Sequence, residues 1–310
     1  MSSSRSIQNN RFVQKPNRKR VKKQPGLLFN YLQELGKSKK GLSGAMMLSF
    51  FILVAIFAPI MAPYSPAEQN VDSQFAAPVF MGEGSRAHLL GADNLGRDTL
   101  SRTVYGTRIS LGVAFIVILT SISIGTLIGA VSGYFGGIAD LIIMRICDFQ
   151  LSFPFILLAI VFMAILGPGF WSMVFALSVA LWVNYARLVR GETLKLRELE
   201  YVQAARAIGV SSFKIIRGHI IPNALPALIV LGTLDFAWVI IFEAALSFLG
   251  LGIQPPTPSW GVMLSEARNF IYESPWMTIF PGAALFITCV GFNLFGDWLR
   301  DTFDPKLFRL

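Results

Sequence analysis

Thirty-eight consecutive residues, Phe149 to Ala186, contain no Asp, Glu, Lys or Arg. About 20 mostly apolar residues are enough to cross about 30 Å of hydrocarbon. A tract nearly twice that long, broken by Gly-Pro-Gly at Gly167 to Gly169, is therefore expected to form two membrane-spanning helices joined by a tight turn. Four more tracts reach the required length: Gly41 to Ala67, Ile109 to Ala139, about Leu225 to Leu249 with two acids inside it, and Ser274 to Gly296. The expectation is an all-α integral membrane protein with six transmembrane helices. With 54% hydrophobic and 15% charged residues, the 310-residue chain is too apolar for an ordinary soluble domain.

The distribution of Lys and Arg orients the spans, because translocating them is disfavoured. With the N-terminus inside, the inner segments hold 22 Lys and Arg and the outer segments 5, which predicts both termini in the cytoplasm. The net charge of +9 does not indicate a nucleic-acid partner. Residues 1–41 hold 11 Lys and Arg against Glu34 alone, so everything after them sums to −1, and no basic folded surface remains. The run Arg18 to Lys23 reads instead as a disordered anchor beside anionic membrane lipid. No cleavable signal peptide is expected, since the first apolar run begins near residue 42 and is long enough to stay in the bilayer. The two cysteines, Cys147 and Cys289, lie in apolar segments and imply no disulfide framework.

Local signals divide the chain further: residues 1–25 as the basic tail, 26–40 as an interfacial helix, and 41–310 as the six-span domain. The interfacial helix would present Leu28, Tyr31, Leu32 and Leu35 on one face. Outer loops are expected at 62–108 and 251–273, and a cytoplasmic loop at 187–224. Ser274 and Pro275 read as the start of span six, and Thr257 and Pro258 as the start of a short outer helix reaching about Phe270. Gly125, Gly129 and Gly133 recur every four residues, a stripe that lets another helix approach closely.

Catalytic chemistry is not indicated. His88 and His219 fall on opposite sides of the membrane and no His-Glu-x-x-His occurs, so no metal site is expected. Gly36-Lys37-Ser38 lacks the glycine a phosphate-binding loop needs five residues earlier, where Tyr31 stands. The chain is not expected to be an enzyme or to bind a cofactor.

The cytoplasmic loop has a definite pattern. Ala204, Ala205 and Ala207 favour a short helix that Gly209 can end in the left-handed conformation. Ser211 or Ser212 can cap a second helix with Phe213, Ile216 and Ile220 on one face and Lys214 and Arg217 on the other. Pro222 and Pro226 are expected to stop it. Such a hairpin is a lever with a small, dockable tip.

The segment resembles the EAA loop of permeases in ATP-binding-cassette importers. Ala204, Ala205, Gly209 and Pro222 match that pattern at its spacing, while Gln203 replaces its glutamate, His219 its first isoleucine and Ile221 its leucine. His88 to Leu111, Glu243 to Gly261, Gly296 to Leu307 and the "FAPIMAPYSP" after span one are similar to the second (C-type) permease subunit of dipeptide and oligopeptide importers. The resemblance covers about residues 27–310. It implies a type I importer permease fold with a cytoplasmic coupling helix formed around Gln203, Ala204, Ala205, Gly209 and Pro222. It also implies a heterodimer with a homologous second permease, two ATPase subunits that hold ATP and Mg, and an extracytoplasmic binding protein delivering peptide. Nickel and glutathione importers share the family. A channel or receptor independent of ATP would not need the lever.

Remaining candidates are ionisable groups. Asp235 and Glu243 lie eight residues apart in span five, about 80° apart around a helix. They could border a translocation pathway or make bonds between helices. Asp93, Arg97 and Asp98 in the outer loop suit either contact with the binding protein or a loop brace. Arg145 and Asp148 are spaced for a local helix pair.

Overall fold

The computed structural model describes residues 33–81, 84 and 86–303. The basic tail, the first seven residues of the expected interfacial helix with Leu28, Tyr31 and Leu32, and the end of the Gly296 to Leu307 motif lie outside these residues. Residues 33–37 are helical, with a break at Ser38. Ser38 then caps α1 (Lys39–Met61), its hydroxyl accepting from the Gly41 N–H at 3.1 Å. The expected interfacial helix is therefore interrupted before residue 40.

The other helices are α2 (Thr99–Phe135), α3 (Gly137–Leu151), α4 (Phe155–Leu166), α5 (Phe170–Leu196), α6 (Glu200–Ala207), α7 (Ser212–Ile215), α8 (Ile221–Phe248), α9 (Trp260–Ala267) and α10 (Trp276–Phe303). Five continuous helical stretches are long and apolar enough to cross a membrane, and a sixth span results if α3 and α4 are counted together across their 89° bend. Ser152 to Pro154 make this bend. Pro154 has no N–H to donate and disfavours a helical Phe153 before it. Counted as one span, this pair starts at Gly137 rather than near Phe149. The Gly-Pro-Gly turn does separate α4 from α5, with Gly167 at φ +79° and Gly169 at φ +151°.

Span one stops at Met61, six residues before the expected end, and Pro63 follows directly after the C-cap Ala62. α2 begins ten residues before the apolar tract does. Asp98 starts it by accepting the Ser101 N–H at 2.7 Å, so the outer loop is shorter than 62–108. At 37 residues α2 is about 55 Å long, more than the bilayer needs. α9 is capped by Ser259, which accepts the Val262 N–H, and not by Thr257. α10 starts within two residues of Ser274, whose backbone carbonyl accepts from Met277, but the Ser274 hydroxyl makes no cap.

α2 and α5 pack tightly along the glycine stripe. A Cβ on Gly125 would lie 2.5 Å from the Tyr185 Cβ, one on Gly129 would strike the Ala186 carbonyl oxygen, and one on Gly133 would lie 2.7 Å from the Thr193 Cβ. Backbones this close exclude any larger residue. Val113, Val117, Leu177, Tyr185, Ile240 and Leu246 fill the core between α2, α5 and α8. Phe236 stacks on Phe292 to join α8 to α10, with ring centroids 4.2 Å apart.

Candidate functional site

The hairpin is built on a glycine turn. At the end of α6 the Val210 N–H bonds to the Ala205 carbonyl and the Gly209 N–H to the Arg206 carbonyl, both at 3.1 Å. This Schellman pattern needs a left-handed residue, supplied by Gly209 at φ +82°. Its completing apolar contact is present, with Val210 packed beside Ala205 in a small cluster around Val202, Ile215 and Ile220.

Beyond the turn the structure corrects the expected stop. α7 runs through a π turn, Ile216–Ile220, straight into α8, giving one 37-residue helical rod from Ser212 to Phe248. The Ile221 N–H reaches back five residues to the Ile216 carbonyl. The widened turn lets Pro222 sit in the first turn of α8, where a proline costs little. It also shifts the helix register. Ile215, Ile216 and Ile220 face the hairpin core, whereas Phe213 is 70% exposed.

Of the expected coupling residues, Gln203, Ala204, Gly209 and Pro222 are exposed and Ala205 is half-buried against the hairpin's own core. Gln203 donates only to Glu198, at 3.2 Å to its carbonyl and 3.4 Å to its carboxylate. Ile208, which sequence reasoning passed over, is 81% exposed at the tip. A cleft of about 480 Å³ lies between the tip and the end of α2, bordered by Tyr134, Arg197, Gln203 and Arg206.

The two acids of α8 differ. Glu243 is fully buried and accepts from Ser110 Oγ of α2 at 2.8 Å and Ser247 Oγ at 3.0 Å. Ser247 in turn accepts the Ile253 N–H. Glu243 therefore ties helices and a loop together. Asp235 is buried with its Oδ2 unpartnered, and the buried Tyr185 hydroxyl facing it also meets no partner in hydrogen-bond geometry.

Asp93, Arg97 and Asp98 are buried in a brace instead of being displayed on a surface. Asp93 accepts from Arg97 Nε at 2.6 Å and Arg102 Nη1 at 2.8 Å, and both arginines also reach Glu266 of α9. Asp98 caps α2 and holds His88 Nδ1 at 3.0 Å. Arg102 lies within the His88 to Leu111 motif but was not singled out there, Glu266 lies in none of the motifs, and only their convergence in space shows their part. Arg145 and Asp148 do not pair. Asp148 lies 4.0 Å from Arg187 of α5 instead.

Residues 125–309 match the family described as the binding-protein-dependent transport system inner membrane component, and residues 31–78 match the N-terminal transmembrane domain of oligopeptide transport permease C. The chain is 43% identical over 275 residues to the dipeptide transport system permease protein DppC of Alkalihalophilus pseudofirmus, covering 89% of this chain and 88% of the relative. It is 44% identical over 266 residues to the glutathione transport system permease protein GsiD of Pectobacterium atrosepticum, covering 86% of each. Among solved structures, the inward-facing MetNI methionine transporter superposes with a TM-score of 0.52 at 22% identity, covering 64% of this chain and 95% of that one, a likeness of fold. This chain therefore belongs to the binding-protein-dependent family of multi-pass inner-membrane permeases, in its C-type oligopeptide branch.

Proposed function

We propose that this chain forms half of the translocation pathway of an ATP-driven importer of di- or oligopeptides and receives the driving movement through its hairpin. The observation that carries the reading is the continuous helical rod from Ser212 to Phe248, which begins directly after the exposed tip and carries the buried Asp235 and Glu243. A push at Gly209 would move α8 directly, and the π turn is where the rod can flex. The charge bias supports a cytoplasmic tip and cytoplasmic termini. Two ATPase subunits would hold ATP and Mg, a homologous permease would supply the other half-pathway, and a binding protein would deliver substrate outside.

Asp235 is the pathway candidate. A buried carboxylate oxygen left without a hydrogen bond, as Asp235 Oδ2 is, is costly, which favours a role in which a donor arrives during transport. A peptide cargo is supported by the dipeptide permease relative, and the glutathione permease relative at 44% identity supports glutathione as the second reading.

The test is uptake in liposomes carrying the complete importer. Dipeptide uptake that requires ATP and falls in Asp235→Asn without loss of assembly is expected. Glutathione uptake with no dipeptide uptake selects the second reading. Transport by the chain alone, without ATPase subunits, rejects both.

A further inference from the structure

Arg145 has no role in the coupling or pathway readings. It stands on the exposed face of α3 with no ion-pair or hydrogen-bond partner among the described residues. Leu141, Ile142, Ile146 and Phe149 surround it and line a shallow cleft of about 420 Å³. An unpaired guanidinium bordered by apolar side chains can lay its stem along them and present its charge at the headgroup layer, where an anion from outside the chain can meet it.

Its depth follows from its neighbours. Asp140 near the start of α3 is held by Arg190 of α5 through two bonds of 2.5 and 2.7 Å, and Asp148 lies beside Arg187. Arg187 is the first charge after the long apolar tract ending at Ala186, so it sits at the edge of the hydrocarbon. Arg145 precedes Asp148 by three residues, about 4.5 Å along α3 toward its Gly137 end, which adjoins the hairpin end of α2. That places it at headgroup level on the side the charge bias assigns to the cytoplasm.

On the other flank of α3, sharing Ile146, an apolar slot of about 320 Å³ opens between three helices. Leu127, Ile128 and Val131 of α2, Ile143 and Ile146 of α3, and Trp182 of α5 line it. The indole is fixed, because its Nε1 donates to Gln150 Oε1 at 3.0 Å while Gln150 Nε2 donates to the Val179 carbonyl at 2.7 Å.

The geometry points to a bound anionic phospholipid of the cytoplasmic leaflet, its headgroup phosphate on Arg145 and an acyl chain in the slot walled by Trp182. Charge complementarity selects this occupant over a protein surface. A second subunit would have to bury an acid against Arg145 and separately fill an all-apolar slot, whereas one lipid carries both an anionic headgroup and an apolar chain. The nearby acid does not oppose it, since Asp148 has Arg187 beside it.

The test uses the complete importer in nanodiscs of phosphatidylcholine doped with bromine-labelled lipid, reading tryptophan quenching. The chain has six tryptophans, so the Trp182 signal is the difference between the wild type and Trp182→Phe. Brominated phosphatidylglycerol should quench Trp182 with about fivefold higher apparent affinity than brominated phosphatidylcholine. Arg145→Gln should abolish that preference, Arg145→Lys should restore most of it, and millimolar inorganic phosphate should leave it unchanged. Equal quenching by the two lipids, survival of the preference in Arg145→Gln, or competition by free phosphate would overturn the lipid site. A complete lack of Trp182 quenching in the assembled importer would overturn it as well, by showing that another subunit covers the face.

Discussion

At the end of the bundle where α2 begins, Arg97 and Arg102 are 2% and 1% exposed and share Asp93 and Glu266 between them. At the opposite end Gln203, Ala204, Ile208 and Gly209 stand in the open, and the only bonds of the Gln203 side chain run to a neighbouring glutamate. Both ends connect helices, yet one pairs its buried charges internally and the other leaves its apolar tip uncovered. Trp260 and Trp276 strengthen the closed end by donating to the Thr103 and Ala92 carbonyls, at 3.2 and 3.0 Å. The closed end holds its loop and helices together through buried ion pairs.

This contrast fails first if the brace does not hold the fold. Asp93→Ala leaves two buried guanidiniums with Glu266 alone, and breaking a buried ion network in this way costs about 3–5 kcal/mol. Thermal unfolding of the purified permease pair should show a large loss of stability, and an unchanged midpoint would make the brace ornamental. Glu243→Ala comes next. It strands the Ser110 and Ser247 hydroxyls in the core and should cost about 1–3 kcal/mol, read in the same unfolding experiment.

At the open end the effects on stability shrink while those on coupling grow. Gly209→Val meets open space around its added Cβ, so its cost comes from the backbone at φ +82°, about 1 kcal/mol or more. Substrate-stimulated ATP hydrolysis in liposomes should fall sharply although the helices still insert. Ile208→Ser, at an 81% exposed position, should change stability by less than about 0.5 kcal/mol yet reduce recovery of ATPase subunits with the permease pair. Normal recovery and coupling in both variants would show that the open end is a connecting loop.

Features governed by local geometry were legible in the sequence. Gly209 and the Gly167 to Gly169 break follow from chirality, since a left-handed turn selects glycine. The stripe of Gly125, Gly129 and Gly133 follows from helical period. Boundaries were less legible wherever a helix extends past the hydrocarbon. Hydropathy could not locate the start of α2 at Thr99, because its first turns carry Arg102, whose charge is cancelled by residues distant in sequence. The continuity of α7 with α8 was hidden for another reason: Pro222 and Pro226 normally end a helix, and a π turn changes which carbonyls need a donor.

The chain by itself determined an all-helical membrane protein, the placement of its apolar stretches and the glycine turn of the hairpin. These depend on hydrophobic length and backbone sterics, properties that a short window of residues carries within itself. Tertiary structure alone decided that Asp93, Arg97 and Asp98 form a buried brace, that Glu243 is hydrogen-bonded while Asp235 Oδ2 is not, and that Asp148 lies beside Arg187 and leaves Arg145 without an ion-pair partner among the described residues. The worth of a charge depends on its burial and on which partner lies within a few ångströms. Glu266 reaches Arg97 and Arg102 across 169 and 164 residues of sequence, a proximity that no local pattern encodes.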